Sequence, residues 1–315
     1  MDNAYHVKTA IALIVYKRPD KTRKVLEALS KVVCGRVYVI ADGPKNERER
    51  ESVYNVREMI ETKLSGNVYN IYSENNMGSR QRVVSGLNHA FQYEDELIVI
   101  EDDIIPTPAF FEFCDNMLER YRKDERVFMV SGRNHLGSYG DGDNSYIFTL
   151  EAYTWGWATW RRAWEMYDST LKIYENRVSK RRFNQSLKEM KYLRISIKRG
   201  VRKALQNRLD AWDYQWNYAM ICNEGLCIVP VVNMIRNDGF GEDATHTKNE
   251  SSALSQVYVG ELYPPYRHNV DMKNNLYYYD EVVRRVYKWN RVMLMKSWWR
   301  EIKSTIKYWL KSLFS

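Results

Sequence analysis

The sequence lacks long hydrophobic runs and has few cysteines. No apolar run approaches the roughly 20 residues that cross a bilayer, so we expect no transmembrane helix. The short apolar run at 10–16 follows Asp2 and precedes no small-residue cleavage site, which favours a buried strand over a signal peptide. The 4 cysteines show neither zinc nor disulfide spacing, which favours reduced thiols in a cytosolic protein.

The composition is typical of a folded globular protein. Hydrophobic residues make up 44% and charged residues 28%, enough for a sizeable core in one large domain or two modest ones. The 48 basic residues exceed the 40 acidic ones, and the net charge of +8 favours anionic partners. Nucleotides, membrane surfaces and nucleic acids are all anionic, so the net charge does not distinguish among them and sequence motifs must.

The first hundred residues alternate short apolar runs with polar turns and amphipathic stretches. The runs are rich in β-branched and aromatic residues and recur about every 30 residues, the length of a β-α-β unit. This pattern predicts an α/β fold with a mainly parallel central sheet flanked by helices. The predicted strands are "TAIALIVY" (9–16), "RVYVIAD" (36–42), "NVYNIYSE" (67–74) and "LIVIEDD" (97–103).

The alternation loosens after residue 103. Further strands are predicted at 126–132, 146–150 and 227–235. A turn entering a helix is predicted at 154–167, and basic helical segments over 178–208.

Polar residues follow each of the first four predicted strands. In parallel sheets ligands bind at the carboxyl ends of the strands, so the sequence predicts a ligand site at this edge. The residues there are Tyr16, Lys17 and Arg18, then Asp42 and Gly43, then Glu74, Asn75 and Asn76, and finally Glu101, Asp102 and Asp103.

Three adjacent carboxylates end the fourth strand, within "LIVIEDDIIPTPAFF" (97–111). A cation can offset their mutual repulsion, and Mn²⁺ or Mg²⁺ takes one or two carboxylates together with phosphate oxygens and water. A nucleotide diphosphate would complete that shell. A solvated acidic turn is the alternative, but the position after a fully apolar strand favours the metal.

The stretch 97–114 resembles the metal-binding strand of GT-A glycosyltransferases, specifically of the N-acetylglucosaminyltransferase I group. In that group an acidic triplet precedes an apolar pair, a proline and an aromatic pair. The resemblance extends over residues 9–247 and implies a GT-A (nucleotide-diphospho-sugar transferase) fold. Its further motifs are "YKRPDKTRKVLEAL" (16–29), "NMGSRQRVVSGLNHAF" (76–91), "RVFMVSGRN" (126–134), "GWATWRRAWEMY" (156–167), "WDYQW" (212–216) and "CIVPVVNMIRNDGFG" (227–241).

The resemblance gives the three acids different roles. It implies that Asp103 binds the Mn²⁺ or Mg²⁺ ion and that Asp102 holds the ribose of the nucleotide-sugar. Glu101 would be a further nucleotide-sugar contact or a structural acid.

Other residues at the same edge are expected to bind the nucleotide-sugar. By resemblance, Asp42 and Arg18 would face the base and ribose. Arg80 or Arg82 also suits the nucleotide, because a guanidinium presents a planar fork of donors. A solvated helix face is the alternative for both of these arginines.

A second acidic motif, "RLDAWDYQW" (208–216), supplies Asp210 and Asp213. An inverting transferase needs a carboxylate that removes the proton of the acceptor hydroxyl, which accelerates the reaction about a hundredfold to ten-thousandfold. The resemblance implies that this base is Asp213, which follows Trp212. The spacing departs from the family's Trp-Asp-Asp-Trp pattern and leaves Asp210 as an alternative, and either aspartate could instead cap a helix.

Three tryptophans surround Gly156 in "TWGWATW" (154–160). Aromatic faces beside a glycine turn suit stacking against a sugar, so Trp157 is a candidate nucleotide-sugar contact, with Glu151 as a nearby site candidate. Core packing beneath the site is the alternative.

The sequence divides into a catalytic domain at 1–262 and a C-terminal helical extension at 263–315. Within 295–315 a broad face rich in tryptophan and leucine lies beside a basic flank, which is the pattern of an amphipathic helix in a membrane interface. We expect it to bind an anionic membrane surface, and the acceptor could then be lipid-linked. Docking of the same helix on the catalytic domain is the alternative.

Together these patterns predict a cytoplasmic, metal-dependent, inverting glycosyltransferase, peripherally attached to the inner face of the membrane and acting in surface polysaccharide synthesis. UDP-N-acetylglucosamine or another UDP-sugar is the first donor to test, with a saccharide hydroxyl as acceptor. Nucleotidyl transfer is the enzymatic alternative, but the early loop "YKRPDKT" (16–22) lacks the glycine of a phosphate loop. A basic adaptor for membranes or nucleic acid would leave the acidic triplet unexplained, so no nucleic-acid partner is expected.

Overall fold

The computed structural model describes residues 4–140, 144–240 and 254–289. Within these ranges no helix has both the length and the apolar character needed to cross a membrane. The amphipathic helix predicted at 295–315 lies outside the described residues.

Strands and helices alternate through the first part of the chain. The strands are β1 (His6–Val7), β2 (Ala10–Val15), β3 (Val33–Cys34), β4 (Arg36–Ala41), β5 (Asn67–Tyr72), β6 (Glu96–Glu101), β7 (Ile104–Pro106), β8 (Val127–Ser131), β9 (Tyr146–Thr149), β10 (Trp157–Trp160), β11 (Leu226–Pro230) and β12 (Ile235–Asn237). The helices are α1 (Pro19–Leu29), α2 (Glu47–Lys63), α3 (Ser79–Ala90), α4 (Pro108–Tyr121), α5 (Arg161–Trp164), α6 (Lys172–Glu175), α7 (Arg177–Ser186), α8 (Lys191–Leu205), α9 (Asp213–Cys222) and α10 (Leu276–Arg285).

A central sheet of eight strands, in the order β5-β4-β2-β6-β10-β8-β11-β9, organises the fold. β5, β4, β2 and β6 are parallel neighbours. These are the four strands that the sequence predicted, and the α/β class is confirmed for this part of the molecule.

The expectation of a mainly parallel sheet is wrong, because the sheet is mixed. β10 pairs antiparallel with both β6 and β8, and β11 pairs antiparallel with β9. The sequence predicted a turn and a helix at 154–167, whereas Trp157–Trp160 forms β10 and the helix begins only after it. All residues of β10 are buried, so the strand has no polar and apolar alternation that would reveal it.

The strand predicted at 227–235 ends early. β11 stops at Pro230, which has no N–H to continue the hydrogen-bond ladder. The chain then returns as β12 and pairs antiparallel with β7, which directly follows the acidic triplet. This pairing brings the chain after β12 beside the predicted site.

The predicted helix faces pack against the sheet. α1 buries Val25 and Leu29, and α3 buries Val83 and Leu87, at positions that the 3.6-residue spacing indicated. The basic helical segments predicted over 178–208 are also present, as α7 and α8.

Residues 263–289, which the sequence assigned to a separate extension, pack against the preceding part of the described chain. Tyr278 and Val282 of α10 are fully buried. The hydroxyl of Tyr278 accepts a hydrogen bond of 3.0 Å from the N–H of His135. Residues 263–289 thus share buried contacts with the preceding part of the chain, and the division at residue 262 stays a prediction.

Candidate active site

The carboxyl ends of β2, β4 and β6 lie at one edge of the sheet, because these strands are parallel neighbours. Arg18 lies between β2 and α1, Asp42 directly follows β4, and Asp102 and Asp103 directly follow β6. The structure thus places at one edge the residues that the sequence assigned there.

Arg18 binds both aspartates of the acidic triplet. Its Nε lies 3.2 Å from Oδ2 of Asp102, Nη2 contacts Oδ1 of Asp102, and Nη1 lies 2.8 Å from Oδ2 of Asp103. Asp102 is only 3% exposed, so its charge depends on this partner in place of water. Burial opposes the charged form of Arg18, but Asp102 and Asp103 outweigh it and raise the pKa of the guanidinium.

Glu101 ends β6 and is half-buried. Burial, followed by repulsion from Asp103 and Asp102, raises the pKa of Glu101 to about 8, and Asp213 adds to the repulsion. Burial and then Asp102 also raise the pKa of Asp103, although Arg18 opposes the shift. The triplet therefore has more carboxyl groups than the single positive charge of Arg18 balances. A bound cation would reduce the electrostatic repulsion that remains among them.

The chain after β12 covers one side of Asp103. The N–H of Asp238 donates to the carbonyl of Asp103 at 2.8 Å, and a Cβ at Gly239 would overlap the Asp103 carboxylate. The carboxylate of Asp238 forms two ion pairs: its Oδ2 lies 2.6 Å from Nζ of Lys24, and its Oδ1 lies 3.2 Å from Nε of Arg236. Glycine is thus required here for the close approach, which the sequence alone did not indicate.

Asp42 organises the loop between β5 and α3. Its carboxylate accepts hydrogen bonds from the N–H groups of Gly43, Met77 and Gly78 and from Nδ2 of Asn76, at 2.9–3.0 Å. Because Asp42 is 5% exposed, these donors take the place of water. The structure shows a loop-fixing role, and contact with the base and ribose stays a prediction.

The two arginines predicted for the nucleotide differ in exposure. Arg80 is half-buried, whereas Arg82 is buried. Arg82 donates from Nη2 to the carbonyl of Ile71 at 3.1 Å and from Nη1 to Sδ of Met77 at 3.5 Å. Burial lowers the pKa of Arg82. Arg82 therefore supports the loop before α3, and a solvated helix face does not describe it.

Arg57 in α2 also supports this edge, although the sequence analysis did not select it. Its Nη2 donates to the carbonyls of Asp42 and Ser73 at 3.3 and 2.5 Å, and its guanidinium lies 4.7 Å from the centre of the Tyr72 ring. The sequence contains a sign that Arg57 is buried, because it shares a helix face with apolar residues. The buried residues of that face are Val53, Val56 and Ile60.

The two aspartates of the second acidic motif occupy different surroundings. Asp210 accepts from the N–H groups of Ser79 and Arg80 at 2.8 and 3.1 Å and so caps α3. Gly78 has a φ of +81° and leaves room for it, since a Cβ there would lie 2.5 Å from Oδ2 of Asp210. Asp213 begins α9 and lines a cavity. Of the two, Asp213 is half-buried in the wall of the cavity, whereas Asp210 is exposed to solvent.

The cavity beside Asp213 has a volume of about 230 Å³ and contains a second carboxyl group, that of Glu151. The hydroxyls of Tyr153 and Tyr287 lie 2.9 and 3.0 Å from the two oxygens of Glu151. Burial raises the pKa of Glu151 to about 7, although these hydrogen bonds oppose the shift. The side chain thus keeps its proton under mildly acidic conditions.

Trp157 does not line this cavity. It is fully buried, and its ring lies 5.4 Å from that of Trp212, 5.8 Å from that of Trp216 and 6.2 Å from that of Trp164. Because other side chains cover the ring completely, core packing describes Trp157 in this structure and direct sugar stacking does not.

Comparisons with known proteins give only partial likenesses. The sequence matches no protein-family profile and no curated protein. The mannosyltransferase PcManGT from Pyrobaculum calidifontis, in complex with GDP-Man and Mn²⁺, is similar over 51% of this chain and 46% of its own, with 14% identity and a TM-score of 0.35. TarS 1–349 from S. aureus is similar over 72% of this chain and 59% of its own, with 10% identity and a TM-score of 0.42. Likeness at this level assigns neither a fold nor an activity to this chain.

We predict that Glu151→Gln changes the pH dependence of stability. Folding raises the pKa of Glu151 from 4.5 to about 7, so the wild type loses stability as the pH rises through this window, whereas glutamine does not titrate. The variant should therefore gain about 2 kcal/mol relative to the wild type between pH 5 and pH 8.

Urea unfolding at the two pH values measures this gain. Glu189→Gln, an exposed position before α8, is the matched control and should follow the wild type. A stability difference between Glu151→Gln and the wild type that is the same at both pH values would contradict the prediction.

Proposed function

We propose that this protein is a metal-dependent, inverting glycosyltransferase that moves a sugar from a nucleotide-diphospho-sugar to a saccharide hydroxyl. The observation that carries the proposal is the arrangement at the sheet edge. Arg18, Asp102 and Asp103 form one charged cluster. The carboxyl group of Glu101 interacts electrostatically with this cluster and with Asp213, which lines the neighbouring cavity. A donor and an acceptor would then meet between two sets of carboxyl groups.

The acidic triplet suits a hard divalent cation. Mn²⁺ and Mg²⁺ prefer oxygen ligands and keep water and phosphate oxygens in their shell. Among the described residues no group of three or more His, Cys, Asp or Glu side chains could hold a metal alone, so water and the donor diphosphate would supply the other ligands. Asp103 would hold the ion, which when bound neutralises the leaving diphosphate.

The other residues of this edge would bind the nucleotide-sugar. Asp102 would hold the ribose, while Arg18 and Asp42 would lie near the base and ribose. Arg80 is the better placed of the two arginines for a ligand, because it is only half-buried and Arg82 is engaged with the loop. UDP-N-acetylglucosamine is the first donor to test.

Asp213 would act as the general base. It would take the proton from the acceptor hydroxyl as the oxygen attacks the anomeric carbon and the bond to the diphosphate breaks. Attack from the side opposite the leaving group inverts the anomeric configuration. Asp210 is already engaged in capping α3, which favours Asp213 for this role.

A donor screen tests the proposed function. The full-length protein with Mn²⁺ should bind and slowly hydrolyse at least one member of a panel of UDP-, GDP- and other nucleotide-sugars. Asp103→Asn should weaken that binding at least tenfold, because it removes the charge that holds the metal. Asp95→Asn, exposed before β6 at the opposite edge of the sheet, is the control.

The proposal fails if no nucleotide-sugar binds, or if Asp103→Asn binds its donor as tightly as the wild type does. Steep salt-dependent binding of nucleic acid without any nucleotide-sugar affinity would favour the basic adaptor instead.

Substitutions of Asp210 and Asp213, the two aspartates of the second motif, should have different effects on catalysis and on stability. Asp213→Asn should lower the rate of transfer about a hundredfold or more, since it removes the base. Asp210→Ala should instead remove a helix cap, at a cost of about 1 kcal/mol in the free energy of unfolding. Steady-state kinetics and urea unfolding of both variants distinguish the roles, and the reverse pattern would assign the base to Asp210.

We also propose that the C-terminal helix predicted at 295–315 holds the protein on an anionic membrane surface, where a lipid-linked acceptor could be reached. Removing residues 290–315 keeps α10, whose Tyr278 and Val282 are buried in the domain. The truncated protein should stay folded and lose its binding to anionic liposomes in a sedimentation assay. Unchanged liposome binding would contradict the proposal, and unfolding would support docking of the helix on the domain.

A further inference from the structure

Helices α7 and α8 and the segments beside them carry a dense basic surface. Residues 177–208 contain 12 basic residues and one acidic residue, Glu189. The net charge of this segment, +11, exceeds the +8 of the whole chain, so the remaining residues together are net negative. The positive charge of the protein is therefore strongly concentrated in this segment.

The apolar sides of α7 and α8 are buried in one cluster with α9. The ring of Phe183 in α7 stacks on that of Tyr218 in α9 at 4.6 Å, and Leu193 and Ile197 of α8 belong to the same cluster. The basic sides of both helices face away from it. Six basic residues of these helices are exposed and form no salt bridge with a carboxylate of the described chain. They define the α7–α8 basic face: Arg177, Lys180, Arg181, Arg182, Lys191 and Lys203.

The α8 part of this face adjoins the cavity that contains Asp213. Tyr192 and Ser196 of α8 line that cavity. Lys191 directly precedes Tyr192, and Lys203 follows Ser196 by seven residues, which places it on the same side of the helix. A ligand that extends from Asp213 along α8 would therefore pass exposed lysines.

The spacing of the charges indicates an extended anion. Lys191 and Lys203 lie about 18 Å apart along α8, at a rise of about 1.5 Å per residue, so one small anion cannot contact both. The four cations of α7 enlarge the surface further. A chain with repeated carboxylate or phosphate groups can contact several of these cations at once, and their combined field would attract it.

A bilayer fits this face less well than a saccharide chain does. A helix in a membrane interface inserts its apolar side, but the apolar side of α8 is buried in the cluster with α9. Val178 and Leu205 are the large apolar residues that α7 and α8 expose, one on each helix. Single exposed apolar residues are ordinary on a protein surface. The face thus offers charge with little apolar surface.

We infer that the α7–α8 basic face binds the acceptor, and that the acceptor is an anionic saccharide chain. Carboxylate or phosphate groups along the chain would contact the exposed lysines and arginines, while the reacting hydroxyl at its end lies beside Asp213. This inference rests on the proposed function and names the class of its acceptor.

Oligogalacturonate long enough to span α8 and its methyl ester are matched probes, because the ester keeps the saccharide chain and removes the charge. In fluorescence-anisotropy titrations the full-length protein should bind the oligogalacturonate, and more weakly as the salt concentration rises. It should bind the ester at least tenfold more weakly, since the attraction between opposite charges is lost.

The double variant Lys191→Glu/Lys203→Glu should bind oligogalacturonate about tenfold more weakly or worse, because two attractions become repulsions. Lys31→Glu/Lys123→Glu changes the net charge equally at exposed positions after α1 and α4, and this control should bind as the wild type does. If the Lys191→Glu/Lys203→Glu variant does not fold, Lys191→Gln/Lys203→Gln takes its place.

Equal binding of the oligogalacturonate and its ester overturns the inference, as does wild-type affinity in the variant of residues 191 and 203. A single-stranded DNA of equal charge lacks the saccharide end and should compete weakly; tighter binding of the DNA would assign the face to nucleic acid. Loss of anionic-liposome binding in that variant, without oligogalacturonate binding in the wild type, would assign the face to a membrane.

The failure of this inference and that of the proposed function are distinguishable. A wild type that binds a nucleotide-sugar but no oligogalacturonate overturns this inference alone. A wild type that binds no nucleotide-sugar overturns the proposed function.

Discussion

The contact of Arg18 with Asp102 and Asp103 is the interaction on which the candidate site depends. Carboxylates at the end of a buried strand repel one another, and an unpaired buried charge costs several kcal/mol. Arg18 is available because Pro19 starts α1 directly after it, with the fixed φ that the first helical turn requires. The start of α1 thus places a cation opposite the acids of β6.

The neighbouring loop is fixed by the same means. Asp42 accepts backbone N–H groups from the loop before α3, while Arg57 and Arg82 donate to the backbone on its other side. These side chains are buried, so the loop is held by charge-assisted hydrogen bonds that water does not weaken. A nucleotide would thus meet an edge whose polar groups are already in place, which lowers the entropy cost of binding.

The sequence predicted the parallel half of the sheet because its strands are separate apolar runs with turn residues and amphipathic helices between them. It did not predict β10, since both faces of Trp157–Trp160 are covered and a tertiary contact decides its conformation. The edge residues were found because parallel strands end together. Gly239, Arg57 and the cavity lining were not found, because their roles depend on contacts between segments that are distant in sequence.

The two sites are parts of one packed unit, and residues 210–213 connect them. Asp210 caps α3 at the end of the loop that Asp42 fixes, and three residues later Asp213 begins α9 in the wall of the cavity. The position of Asp213 therefore depends on the same loop that Asp42 fixes at the edge of the sheet. A helix cap that looks merely structural in the sequence thus sets the geometry between the acidic edge of the sheet and Asp213, the base that we propose.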